Sequence, residues 1–102
     1  KGRVVLAVIR KHIQNNPRIS FSELAEVFPK ACQGSSGVFA SLDEAKQIYT
    51  DTGHKRHFLD ADEIAIISDN TIAVSNQWGK GNIDKFILQA QGLGYNISIA
   101  AD

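Results

Sequence analysis

The first part of the chain carries hydrophobic residues at helical spacing. Val5, Ile9 and Ile13 recur about one turn apart within residues 3–15, which predicts an amphipathic helix. Pro17 marks its end, because the residue before a proline is driven out of the helical conformation.

A second helix is predicted from its start signals. Ser20 and Glu23 have the spacing of a capping box, in which each side chain accepts a hydrogen bond from the other residue's N–H. Ile19 and Leu24 stand at the two positions of a hydrophobic staple. The pattern therefore predicts a helix that begins at Phe21 and ends at the next proline.

Residues 29–40 show neither the helical nor the strand period of apolar residues, and the sequence predicts an irregular connection there. Its length is unusual in so small a domain, which indicates a functional loop or an unrecognised short helix. Ser41 and Glu44 then repeat the capping-box pattern and predict a third helix over residues 42–50.

The second half of the chain changes to β-type patterning. Residues 57–59 predict a short strand. Residues 63–68 and 71–75 are β-branched runs, and Asp69-Asn70 between them predicts a hairpin with a two-residue turn that tolerates positive φ.

The C-terminal part returns to a helix and then to alternation. Asn82 is predicted to cap a fourth helix over residues 83–92, and Gly92 or Gly94 supplies its left-handed exit. Residues 95–99 alternate and predict a last strand.

These elements predict an α+β fold. A helical N-terminal half of helix-turn-helix or winged-helix character would pack on a small antiparallel β-sheet with one further helix, and the hairpin would be the wing. Residues 1–102 are expected to form a single domain, excised from a longer protein because the chain contains no methionine. The expected core is Val5, Leu6, Ile9, Ile13, Leu24, Phe28, Leu42, Ile48, Phe58, Ile66, Ile72, Val74, Phe86, Ile87 and Ile97.

Composition narrows the class of protein. Eleven Lys and Arg balance eleven Asp and Glu, which excludes a strongly basic DNA-binding protein. Residues 1–22 nevertheless carry basic side chains and no acid, so folding can place a positive face on a neutral molecule. No apolar run reaches the roughly 18 residues of a membrane span, so no membrane partner is expected. The single cysteine, Cys32, cannot form an internal disulfide and favours the reducing cytoplasm.

The candidate binding residues are cations and amides. The run His54 to His57 is the densest cationic cluster and suits phosphate, while amides read base edges and an indole stacks on bases. The predicted nucleic-acid-binding set is Arg10, Lys11, His54, Lys55, Arg56, His57, Gln77, Trp78, Lys80 and Asn82.

Each of these features has a purely structural alternative. The cationic run also fits an exposed strand start with weak surface ion pairs. Trp78 also fits a residue that covers the end of the sheet, since a small domain needs its large apolar surfaces. Residues 33–37 fit a phosphate-contacting loop or a flexible linker. Cys32 fits a small hydrophobic residue better than a nucleophile.

The acidic residues offer a catalytic alternative. Asp60, Asp62 and Glu63 near Lys55 have the composition of a magnesium-binding nuclease centre, but they also fit a turn whose carboxylates cap local amides. No catalytic constellation, metal-ligand spacing or cofactor motif is present, so no cofactor and no metal are expected.

The distinctive stretches of the chain are Phe28-Pro29 with Gln33-Gly34-Ser35, Lys55-Arg56-His57-Phe58, Ile72-Ala73-Val74-Ser75-Asn76-Gln77-Trp78-Gly79, Gly81-Asn82-Ile83-Asp84-Lys85-Phe86-Ile87 and Leu93-Gly94-Tyr95-Asn96-Ile97. Together they resemble a small bacterial domain associated with restriction, nuclease or phage-defence proteins. The resemblance covers residues 3–99 and implies an accessory domain of a DNA-processing protein, without catalytic residues to transfer.

Three functions remain open at this point. The first is a DNA-binding accessory domain that contacts phosphates with a basic face. The second is a module for a protein partner or a homodimer, with an apolar patch around Trp78, Phe39 and Tyr49. The third is a magnesium-dependent nuclease that loses cleavage on Asp62→Ala.

Overall fold

Helices and a small antiparallel sheet make up the computed structural model, which describes residues 2–34 and 37–97. This architecture confirms the predicted α+β fold. The elements are α1 (Gly2–Asn15), α2 (Phe21–Val27), a 3₁₀ turn (Lys30–Cys32), β1 (Phe39–Ser41), α3 (Leu42–Thr52), β2 (Ala65–Ile66), β3 (Thr71–Val74) and α4 (Ile83–Gly92).

The start of α2 confirms the predicted capping box. The Ser20 hydroxyl accepts from the N–H of Glu23 at 3.2 Å, and the Glu23 carboxylate accepts from the N–H of Ser20 at 3.0 Å. A third bond comes from far along the chain, because the Asp69 carboxylate accepts from the N–H of Phe21 at 2.9 Å. The N-terminal N–H groups of α2 are thus satisfied partly by a tertiary contact.

Three further helix termini have the residue types that local capping rules favour. The Ser41 hydroxyl accepts from the N–H of Glu44 at the start of α3. Gly53 ends α3 with a φ of 70°, and Gly94 follows α4 with a φ of 97°. Both are left-handed conformations that glycine adopts without steric cost.

The sheet has the strand order β1-β3-β2 and is antiparallel throughout. β1 begins inside the segment predicted to be irregular, and Phe39 pairs with Val74. The strand predicted at residues 57–59 is reduced to one bridge between His57 and Ser75. Of the strand predicted at residues 95–99, residues 95–97 are not in a strand and residues 98 and 99 lie outside the described residues.

The predicted helix-turn-helix is not formed by α2 and α3. Residues 28–41 separate the two helices and contain both the 3₁₀ turn and β1. A helix-turn-helix joint has about three or four residues. The chain instead leaves α2 to pair β1 with β3, which places a strand between the helices.

The hairpin turns one residue earlier than predicted. The pairing of Ile66 with Thr71 and the bond from the Ile67 N–H to the Asn70 carbonyl place Ser68 and Asp69 at the tip. No non-glycine residue in the described chain has a positive φ. The Ser68 N–H and hydroxyl both donate to the Ile19 carbonyl, at 3.0 and 2.8 Å, so contact with the start of α2 sets the turn.

The core lies between α1, α2, α4 and the sheet. Ile66 was expected in it but is 78% exposed, while its neighbour Ile67 is buried. Adjacent residues of a strand face opposite sides, so the register decides which one is buried. The buried core cluster is Val5, Leu6, Val8, Ile9, Ile19, Leu24, Phe28, Cys32, Val38, Ile67, Ile72, Val74, Ile83, Phe86, Ile87 and Ala90.

Candidate nucleic-acid interface

The cationic segment 54–57 runs alongside the loop that follows β3. The Asn76 N–H donates to the Arg56 carbonyl at 3.0 Å, and the Asn76 side-chain amide donates to the Lys55 carbonyl at 3.1 Å. These bonds continue the antiparallel pairing beyond the regular strands. Folding therefore brings Lys55 and Arg56 next to Gln77, which the sequence separates by more than twenty positions.

A guanidinium and an amide meet at this surface. Arg56 Nη1 lies 3.5 Å from Gln77 Oε1, and the Gln77 amide donates to the side chain of Asn76. Gln77 is exposed, and Arg56 is partly exposed. His54 and Lys55 are exposed as well, and Lys55 lies 3.5 Å from the Asp60 carboxylate. An exposed ion pair of this kind contributes little, so both charges remain available to a ligand.

Trp78 anchors the loop to the hydrophobic core. Its indole N–H donates to the Ser75 carbonyl at 2.7 Å, and its ring packs edge to face on Phe86 with the ring centroids 5.4 Å apart. The ring is partly buried in the core cluster. This is the structural alternative that the sequence left open, in which Trp78 covers the core rather than stacking on a base.

The side chain of Asn82 also makes hydrogen bonds within the loop. Its side-chain oxygen accepts from the Gly79 N–H at 2.9 Å, and its amide donates to the Gln77 carbonyl at 3.0 Å. The predicted side-chain cap of α4 is therefore absent, since Asn82 makes no side-chain bond to that helix. The Gln33 amide donates to the same Gln77 carbonyl at 2.9 Å. The backbone of Gln77 is thus held from two sides.

His57 is buried and cannot reach a phosphate. Its side chain is 2% exposed, and neither ring nitrogen has a hydrogen-bond partner within residues 2–34 and 37–97. Burial lowers the pKa of His57, and the nearby Glu44 carboxylate opposes that shift. The cationic run of the sequence therefore splits, with His54, Lys55 and Arg56 at the surface and His57 in the interior.

The remaining predicted cations lie on other elements. Arg10 and Lys11 are exposed on α1, and Lys80 is exposed in the turn before α4. Arg10 Nη1 donates to the Asp62 carbonyl at 2.6 Å. The acidic turn at residues 60–63 therefore contacts both Arg10 and Lys55, so the positive surface is interrupted by carboxylates.

The acidic residues of this turn contact other groups of the protein. Glu63 is buried, and its carboxylate accepts from the Asp60 N–H at 3.1 Å and pairs with Arg3 at 2.9 Å. Within the described residues, no group of three or more His, Cys, Asp and Glu side chains could hold a metal ion. The Glu63 carboxylate thus caps a local amide, as the turn alternative predicts, whereas the Asp60 carboxylate lies near Lys55.

The structure also shows how far Cys32 and the residues of the predicted apolar patch are buried. Cys32 is buried, and desolvation raises the pKa of its thiol, which favours the unreactive protonated form. Phe39 is half-buried against Phe21, with ring centroids 5.1 Å apart, whereas Tyr49 is 46% exposed. With Trp78 turned inward, only Tyr49 of the three proposed patch residues remains largely at the surface.

Sequence reasoning missed the residues that support the loop. Gln33, Ser75 and Asn76 fix its backbone, and Ser75 is fully buried. A buried serine at the end of an apolar strand was the available signal, because such a group needs a hydrogen-bond partner.

Comparisons of the chain with protein-family models, with curated proteins and with solved structures found no match. None of the helices in the described residues is long and apolar enough to cross a membrane. The argument for a function therefore depends on the surface where Lys55 and Arg56 meet Gln77, with the exposed residues His54 and Lys80 near them in sequence.

Proposed function

We propose that this chain is a DNA-binding accessory domain whose binding surface consists of His54, Lys55, Arg56, Gln77 and Lys80. The observation that carries the proposal is the contact between Arg56 and the exposed Gln77 on a loop whose Trp78 and Asn82 side chains bond within the protein. Such a loop keeps its exposed side chains in place before a ligand arrives, which lowers the entropy lost on binding.

The chemistry of the surface suits a nucleic acid. Lys55 and Lys80 neutralise phosphates, and Arg56 can bind a phosphate through two parallel N–H groups. The Gln77 amide has one donor and one acceptor group, the combination that reads an adenine edge in the major groove. Arg10 and Lys11 on α1 would add phosphate contacts at the far side of the acidic turn.

The proposal assigns no base contact to Trp78 or Asn82. Both use their polar groups to hold the loop, so their role is to position Gln77. It also leaves His57 out, because the ring is enclosed.

The test is a fluorescence-anisotropy titration of the full chain with labelled duplex and single-stranded DNA at several salt concentrations. Binding should weaken steeply as salt rises, because the affinity comes from released counterions. Lys55→Ala and Arg56→Ala should each weaken binding and reduce the slope of log K against log salt by about 1. Gln77→Ala should weaken binding at an unchanged slope, because the amide carries no charge.

Two exposed cations away from the proposed surface serve as controls. Arg18 lies in the link between α1 and α2, and Lys46 lies on α3. Arg18→Ala and Lys46→Ala should keep the affinity and slope of the original chain. The proposal fails if neither DNA form binds at low salt, or if the control variants lose as much affinity as Lys55→Ala and Arg56→Ala.

A further inference from the structure

The edge strand β2 exposes an isoleucine beside an apolar groove. Ile66 is 78% exposed, the highest value among the large hydrophobic side chains of the described residues. It adjoins a groove between α1 and β2 that is lined by Arg10, Ile13, Gln14, Ile64, Ala65 and Ile66. Contiguous apolar surface on a small domain marks an interaction site more often than a lone exposed side chain does.

At the same place, the outer edge of β2 presents backbone groups of Ile66 that do not pair with β3. The Ile67 N–H donates to the Asn70 carbonyl, so the backbone N–H of Ile67 points towards the other arm of the hairpin. Hydrogen bonding in an antiparallel ladder alternates along each strand, so the N–H and C=O of Ile66 face away from β3. Natural edge strands are commonly protected by shortness, a charge, a proline or a bulge; β2 is short, with two residues, but neither Ala65 nor Ile66 is charged or a proline.

We propose that the β2 edge pairs with the β2 edge of a second copy of this chain, antiparallel about a two-fold axis at Ile66. The axis would place Ile66 opposite Ile66 of the second copy, and each would donate one backbone N–H to the other's carbonyl. The two isoleucine side chains would meet on one face. The two three-stranded sheets would then join into one continuous sheet.

Charge favours a second copy over other occupants. Arg10 lines the groove, and its guanidinium donates to the carbonyl of the exposed residue Asp62 at 2.6 Å. The border therefore carries both signs, and the whole chain has a net charge of zero. Two copies can approach without net repulsion, since each brings charges of both signs to the contact.

The first test is sedimentation equilibrium of the full chain over a range of concentrations. The weight-average mass should rise from that of one chain towards that of two. Ile66→Lys should remain monomeric, because it buries a charge at the axis opposite an identical charge. Leu88→Lys is the matched control: Leu88 is 68% exposed on α4, and its replacement should leave dimerisation unchanged.

The second test measures the register. Directly opposed residues that exchange two backbone bonds have Cα atoms about 5.5 Å apart, which lies within the span of a disulfide. Ile66→Cys should therefore form a disulfide-linked dimer under mild oxidation, while Leu88→Cys and the original chain with buried Cys32 should not.

The proposal fails if the chain stays monomeric at all concentrations, if Ile66→Lys dimerises like the original chain, or if Leu88→Cys cross-links as readily as Ile66→Cys. It is independent of the proposed DNA surface, because both tests are made without DNA and at residues outside that surface.

Discussion

At the scale of single residues, burial decides what the polar side chains can do. His54 and His57 are three positions apart in one cationic run, yet the first is exposed and the second is enclosed. The exposed histidine can meet a ligand, whereas the enclosed one affects the stability of the fold. An enclosed imidazole without hydrogen-bond partners destabilises the protein relative to a fully satisfied core.

His57 should make the protein less stable in acid. Burial lowers the pKa of His57 below its usual 6.5, so the unfolded chain takes up the proton first as pH falls. Stability is therefore full above about pH 6.5 and decreases below it, by up to about 1.4 kcal/mol per pH unit for one proton. His57→Phe should flatten this slope in urea unfolding between pH 7 and pH 5, and should leave stability at pH 7 equal or higher.

Part of the decrease in stability at low pH should remain in His57→Phe. Burial also lowers the pKa of His12, whose Nδ1 lies 2.6 Å from the Tyr95 hydroxyl, and the sign of its contribution is the same. An unchanged slope in His57→Phe would contradict the assignment to His57.

At the scale of elements, helix termini follow local rules and strand pairing does not. The capping box of α2 and the N-terminal serine of α3 were predictable, because their hydrogen bonds join residues three positions apart. β1 has three residues and exists only because β3 lies beside it. The hairpin tip moved by one residue because Ser68 binds the Ile19 carbonyl, a contact between distant parts of the chain.

The cap of α2 can be tested by stability. Ser20→Ala should lower the free energy of unfolding by about 1 kcal/mol, because the Glu23 N–H loses its acceptor. Asp69→Ala should also destabilise, because the Phe21 N–H loses the Asp69 carboxylate. Urea denaturation measures both losses.

Ser22→Ala is the control for this cap. Ser22 is exposed within α2, and alanine is the better helix former, so this variant should be at least as stable as the original chain. A loss in Ser22→Ala equal to that in Ser20→Ala would show that the box does not stabilise the helix.

At the scale of the whole molecule, the loop of the candidate interface is anchored to the core through Trp78. Trp78 packs on Phe86 of α4, Phe86 stacks on Phe28 at 5.4 Å, and Phe28 follows α2. The loop, the C-terminal helix and the N-terminal helices thus share one hydrophobic cluster. We expect the domain to unfold as one cooperative unit.

Trp78 gives a direct measurement of this cooperativity. Because the indole is anchored to Ser75 and Phe86, its emission should change in the same urea transition as the helical circular dichroism. DNA binding at Arg56 and Gln77 should change the emission little, since Trp78 lies beneath the loop. An emission change at lower urea than the loss of helix would mean that the loop opens separately.

The sequence by itself determined the four helices, the capping box of α2, the serine cap of α3 and the α+β class, because apolar stripes and hydrogen bonds between near neighbours produce them. Only the tertiary structure decided the position of β1, the exposure of Ile66, the burial of His57 and the inward turn of Trp78 and Asn82. Each of these depends on which distant segment lies alongside, and a pattern within one segment does not contain that information. The cations and the amide of the candidate interface were visible in the sequence, but their meeting across segments 54–57 and 76–82 came from the fold.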